Sequence, residues 1–174
     1  MKTEHMISLS GRSPWVFGKK SEIELLNTVD AGGYFSGVHP KLQAVTRLAL
    51  AISACDFGIH DGVRTDEEHA ANVAAGTSRA RRSKHLDGLA VDAVPWVYGV
   101  WSWAKEHCFK VAKAHQRASV FLRIPIIWGG NWNYPLGDLC DPETAHKMYV
   151  FAFERDNPGK KALIDLVHFE LVVP

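Results

Sequence analysis

The segment "HPKLQAVTRLALAIS" puts Leu42, Val45, Leu48, Ala49 and Ile52 at three- and four-residue spacings. That pattern predicts an amphipathic helix with Pro40 in its first turn. Upstream, "GKKSEIELLNTVDAGG" begins polar, turns apolar and ends on Gly32 and Gly33, the pattern of a short helix and a loop. "DFGIHDGVRT" reads as a short strand, a turn at Asp61-Gly62 and a second extended piece. Thr65 followed by Glu68 is a capping box that opens a short helix through "TDEEHAANVAAG", which Gly76 would end. Past the basic loop "TSRARRSKH", the apolar run "LAVDAVP" predicts a strand closed by Pro95. Ser102 is a candidate cap for a longer helix from about Trp103 to Ala118. "VFLRIPIIWGG" is β-rich, with Pro125 requiring an edge position or a bulge. In "DPETAHKMYVFAFER" Asp141 is a cap and Pro142 takes the first helical position, while "LIDLVHFELVVP" makes a last strand.

Helices and strands interleave, yet several strand links are too short for parallel crossovers. The expectation is a small α+β domain whose mostly antiparallel sheet is flanked by helices. With 174 residues, a single domain over 1–174 with one core is expected. A net charge of +1 gives no general attraction to nucleic acid or membrane, and no apolar stretch is long enough to span a bilayer. The opening "MKTEHMISLSGRSPWVFGKK" lacks the apolar core of a secretory signal, so synthesis in the cytoplasm is expected. Cys55, Cys108 and Cys140 are odd in number and widely spaced, which argues against a disulfide framework or a cysteine metal site and reads as three buried or half-buried thiols.

Two strands carry polar residues where apolar ones would be cheaper. Asp92 interrupts Leu89, Ala90, Val91, Ala93 and Val94, and an unpartnered carboxylate is costly to bury there. In the last strand, alternation sets His168, Glu170 and Val172 on one face and Val167, Phe169, Leu171 and Val173 on the other. His85 precedes Asp92 across the Asp87-Gly88 turn, and Asp165 lies three residues before His168. Two histidines and a carboxylate are enough protein ligands for a catalytic zinc that keeps one position open. Donors of nitrogen and oxygen without thiolate suit Zn²⁺, with Mn²⁺ or Co²⁺ as substitutes. The helical signature H-E-x-x-H is absent.

"SKHLDGLAVD" resembles the S-x-H-x-x-G-x-A-x-D motif of the zinc peptidases that include the D-Ala-D-Ala carboxypeptidases and dipeptidases. Within that group the chain is most similar to the phage L-alanyl-D-glutamate endopeptidases, a class of endolysins. "FGKKSE", "DFGIHDGVRT", "LRIPIIWGGNW" and "DLVHFELV" agree in order, so the resemblance runs from about Phe17 to Val173. It implies a fold of the DD-peptidase and Hedgehog type, with one zinc held by His85, Asp92 and His168. It implies Asp165 as the acid/base, where many relatives have glutamate, and Arg64 as the arginine that steadies the substrate oxyanion. Ser83 would be a substrate or supporting contact, Glu170 would orient a ligand histidine, and Trp128 and Trp132 are candidates to line the cleft.

The implied activity is hydrolysis of peptidoglycan stem peptides, at the L-Ala–D-Glu bond, by a monomeric phage lysis enzyme that reaches the wall once the membrane is breached. D-Ala-D-Ala carboxypeptidase or dipeptidase activity, a virion-borne wall-penetrating peptidase, and a zinc-stabilised binding module without catalysis are the alternatives. No separate wall-binding module is expected in this length. The stretch between Trp132 and His168 is long for the family and is expected to contribute a loop walling the cleft. The run Arg79, Arg81, Arg82 and Lys84 beside His85 either aids docking of an anionic peptide or is a solvated loop. It carries no aromatic platform for nucleic acid. His60, His69 and His146 show no ligand-like partners and read as ordinary.

Overall fold

The computed structural model describes residues 33, 35–76 and 82–173. The helix and loop expected over 18–32, the "FGKKSE" segment and the pair Arg79 and Arg81 lie outside them. Among the described residues the helices are α1 (Pro40–Ile52), α2 (Asp66–Ala74), α3 (Lys105–Leu122) and α4 (Pro142–Asp156). The strands are β1 (Phe57–Asp61), β2 (Ala90–Val97), β3 (Val100–Trp101), β4 (Ile126–Trp128) and β5 (His168–Leu171). Every pairing is antiparallel; the sheet runs β1-β2-β5-β4, with β3 folding back on β2 as a hairpin. The expected α+β architecture is the one found.

Alternation decides which side of this sheet meets the helices. Val91 and Ala93 of β2 and Phe169 and Leu171 of β5 point into one core with Leu42, Val45 and Ala49 of α1 and Val111, Ala112 and Ala118 of α3. The opposite side carries Asp92 and His168, which face each other in register. The helix ends follow their sequence signals. Thr65 and Glu68 make both hydrogen bonds of a capping box, and Asp141 accepts from the Thr144 amide ahead of Pro142.

Four boundaries differ from expectation. The strand through "LAVDAVP" continues past Pro95 to Val97, since Pro95 lies opposite Phe57 and the hairpin to β3 extends the pairing. Ser102 does not cap α3; the N-cap is Ala104, and the Ser102 hydroxyl instead lies 2.8 Å from His107 Nδ1. Val120, Phe121 and Leu122, expected in a strand, are the last turn of α3, which ends at Arg123 in the left-handed conformation. After Asp61 the chain forms no second strand but an irregular link to Thr65. Pro125 precedes β4, an edge strand, as its missing N–H requires. Cys55 and Cys108 are buried while Cys140 is exposed, against the expectation of three sheltered thiols. Burial pushes the Cys108 thiol up to about 11, as in an inert core cysteine.

Much of the 133–161 stretch is helix rather than loop. α4 lies beside the start of α3, and the two border a cavity of about 780 Å³ with Phe109, His146, Phe151 and Ile164 in its lining. His146 is buried, with its Nδ1 3.0 Å from the Gly130 carbonyl oxygen, so it braces the turn that follows β4.

Candidate metal centre and active site

Each polar residue on the open side of the sheet is held by its own element. His85 sits in a single 3-10 turn, Lys84–Asp87, whose cap is Ser83; the Ser83 hydroxyl accepts the His85 amide at 3.3 Å. Gly88 ends that turn at φ 65, and a side chain there would collide with the Gly37 carbonyl oxygen at 2.2 Å. Only glycine meets both demands. The His85 ring is 1% exposed, and its Nδ1 donates to the Gly62 carbonyl oxygen at 2.6 Å, which turns Nε2 toward β2 and β5.

There it meets the other two groups. His85 Nε2 lies 3.3 Å from Asp92 Oδ1, His168 Nδ1 lies 3.2 Å from the same oxygen, and the two ring nitrogens are 3.2 Å apart. Three buried donor atoms therefore form a nearly equilateral triangle. Metal–ligand bonds of about 2.0–2.1 Å at tetrahedral angles put ligand atoms about 3.3 Å apart, so this triangle has the dimensions of one face of a zinc coordination tetrahedron. The donor chemistry fits as well. Two imidazole nitrogens and a carboxylate oxygen converge on one point, and their far sides are tied down. Glu170 Oε2 stands 3.2 Å from His168 Nε2, and Arg64 Nη2 donates to Asp92 Oδ2 at 2.7 Å.

The electrostatics follow from this crowding. Burial alone would raise the Asp92 carboxyl, but hydrogen bonds from His168 and His85 outweigh it and hold it far below the usual range. Burial opposes charging of His168, yet contacts with Asp92 and Glu170 prevail and push its pKa up to about 9. Asp165 goes the other way: burial and the Asp92 charge raise its carboxyl above the ordinary 3.8.

Asp165 is placed by backbone contacts between the ends of β4 and β5. Its amide donates to Gly129 O at 2.9 Å, and the Gly129 amide donates to His168 O at 3.0 Å. A Cβ on Gly129 would stand 2.2 Å from the Asp165 carbonyl oxygen. The glycine is the condition for this close approach. Trp132 lies over the triad with its ring centroid 5.2 Å from that of His168.

Among the residues singled out from sequence, the fold brings His85, Asp92, His168, Glu170, Arg64, Ser83 and Asp165 into one cluster. Trp128 is a correction: it is fully buried and donates its indole N–H to Leu166 O at 2.9 Å, so it is a core residue with no face for a ligand. Two functional partners escaped the sequence reading. Asp61 accepts from Arg64 Nε and so shares the guanidinium with Asp92. Its only sequence signal was a position at the end of a strand three residues from Arg64. Gly129 had only the Gly-Gly pair after β4 to announce it. From the basic run, Arg82 is exposed and pairs with Asp87.

Comparison with known proteins identifies the family. The profile of the phage L-alanyl-D-glutamate peptidase family matches residues 30–149. The L-alanyl-D-glutamate peptidase of Escherichia phage T5 is 38% identical over 121 residues, 67% of this chain and 81% of that protein. That of Listeria phage A118 is 35% identical over 75 residues, 43% of this chain and 26% of the relative. Among solved structures, the Serratia marcescens L-Ala D-Glu endopeptidase ChiX superposes with a TM-score of 0.58 at 31% identity, covering 80% of this chain and 84% of the other. The profile match ends ahead of β5, and the grouping of the site residues rests on the geometry above. The chain belongs to the phage L-alanyl-D-glutamate peptidase family.

Proposed function

We propose that this protein is a zinc-dependent endopeptidase that hydrolyses the L-Ala–D-Glu bond of peptidoglycan stem peptides during phage-induced lysis. The observation that carries the zinc reading is the triangle of His85 Nε2, Asp92 Oδ1 and His168 Nδ1, with edges of 3.2–3.3 Å. A zinc ion held by these three would lower the pKa of a bound water from about 15.7 toward 7 and polarise the scissile carbonyl.

The chain's own residues supply the rest. Asp165, half-buried and raised above an ordinary carboxylate, is suited to take a proton from the attacking water and return one to the departing amine. Its raised pKa narrows the gap to neutral pH, which makes both transfers easier. Arg64 offers five N–H donors in a planar fork, of which Asp61 and Asp92 take one each. It therefore locks the Asp92 carboxylate in orientation while placing positive charge beside the carbonyl that becomes an oxyanion. Trp132, over His168, supplies an apolar wall against which the stem peptide can lie.

The test is digestion of purified peptidoglycan, with the new termini read by mass spectrometry. Fragments that begin with a D-Glu amino group are expected. Release of C-terminal D-Ala alone would replace this reading with a carboxypeptidase one.

A further inference from the structure

An aromatic cluster lies away from the triad but on the same side of the sheet. Trp96 follows Asp92 by four residues on β2, so by alternation it projects to the same side, roughly 13 Å farther along at about 3.3 Å per residue. His60 on β1 lies between Ile59, which faces the core, and Asp61, which holds Arg64. The hairpin to β3 adds Trp101, and Trp103 follows it. Their rings meet edge to face: Trp96 to Trp101 at 4.9 Å, His60 to Trp101 at 5.6 Å and His60 to Trp103 at 5.7 Å between centroids. Such contacts fix ring orientation. Trp101 is 37% exposed and Trp103 60%.

The hairpin tip adds an independent observation. Tyr98 and Gly99 both adopt positive φ, at 52° and 85°. Turns of this kind favour Asn or Asp ahead of the glycine, and a bulky aromatic there is uncommon. Yet Tyr98 holds it with its side chain fully in solvent. Residues 96–103, "WVYGVWSW", contain no charged side chain. A surface that docks on anionic lipid would carry lysine or arginine among its aromatics. Oriented, exposed tryptophan rings in a segment without charged side chains instead suit a neutral ligand with flat apolar C–H faces, which describes a sugar.

We propose that Trp96, Trp101, Trp103 and His60 form a saccharide-stacking subsite that holds the amino-sugar strand of peptidoglycan while its stem peptide lies in the triad. The proposal rests on the peptidase reading for its choice of polymer. In that polymer the alanine of the scissile bond hangs from the sugar through a single lactyl group. The bond thus lies within about 7 Å of the strand at roughly 3.5 Å per unit, and the sugars that follow reach the distance of the cluster.

The probe is glycan strand stripped of its peptides, titrated against intrinsic tryptophan emission. Wild-type emission should shift with saturation, and a Trp101→Ala/Trp103→Ala variant with an unchanged melting temperature should lose the shift. The same variant should show at least a fivefold higher KM on intact sacculi with kcat preserved, and turnover within twofold of wild type on a sugar-free stem peptide. The milder Trp103→Ala variant should show the same pattern at reduced size. An equal loss on both substrates, or no loss on either, would overturn the proposal. So would emission that responds to anionic phospholipid vesicles and not to stripped glycan. Wild-type protein that cuts neither substrate but still shifts on stripped glycan would sink the peptidase reading and leave the saccharide subsite standing.

Discussion

Asp165 illustrates how a single side chain acquires a role from its surroundings. Burial and the neighbouring Asp92 charge both favour its neutral form, so it exchanges protons nearer neutral pH than an exposed aspartate would. It is not among the three groups whose donor atoms converge, and its removal should leave metal binding intact. Asp165→Asn is therefore expected to keep the wild-type metal content while kcat falls by about 10²–10⁴, the usual worth of a general acid/base. Metal analysis and initial rates on the same preparation check this. Loss of metal together with activity would instead make Asp165 part of the coordination. Arg64 shows the reverse case, a residue recognisable from "GVRT" whose bond to Asp92 was not. That bond joins residues 28 apart and exists only because β1 and β2 pair.

At the scale of elements, the site is a product of sheet register. Asp92 opposite His168 places a carboxylate and an imidazole on one face, and a one-residue slip of either strand would turn that strand's polar residue into the helix-packed core. Alternation along "LVHFELV" and the aspartate inside "LAVDAV" made that face legible in the sequence, because period-two patterning is local. The junction of β4 with the approach to β5 was not legible, because the close contact of Gly129 with Asp165 is between residues far apart in the chain. The same limit explains Trp128, whose burial depends on Phe109 and His146 packing around it. Gly129→Ala forces a methyl group against a backbone oxygen and threatens both hydrogen bonds that align Asp165 and His168. We expect a loss of about 1–3 kcal/mol in stability, as for an overpacked core position, with activity falling at least tenfold. Thermal melts and rates measured together would show it, and a variant with wild-type activity would mean that this junction does not position Asp165.

For the whole molecule, the core beneath the site carries its own pH dependence. His115 of α3 is completely buried, stacked on Phe169 at 3.9 Å between centroids, with Nδ1 donating to Val111 O at 3.0 Å. Its Nε2 has no hydrogen-bond partner among the described residues. Burial lowers its pKa to about 4 from the ordinary 6.5, the bond to Val111 opposing only in part. Well above pH 6.5 the ring is neutral in both folded and unfolded chains, so its ionisation leaves stability unchanged. As pH falls from 6.5 toward about 4, the unfolded chain takes up a proton that the fold resists, and stability is lost. The gap corresponds to about 3 kcal/mol at most. Melting temperature should therefore drop between pH 7 and 4.5, and His115→Phe should flatten that drop. An unchanged slope in the variant would assign the acid sensitivity elsewhere. The aromatic hairpin at the far end of β2 belongs to this scale too, since the saccharide subsite proposed there would engage the same polymer as the triad.

The central claim is that His85, Asp92 and His168 hold one catalytic zinc. The most direct measurement is zinc content by elemental analysis, paired with peptidoglycan cleavage before and after chelation, for the wild type and for His85→Ala and His168→Ala. The account predicts about one zinc per wild-type chain, cleavage abolished by the chelator and restored by added zinc, and neither zinc nor cleavage in folded variants. A wild-type protein that cleaves peptidoglycan without zinc and is indifferent to chelators would contradict it.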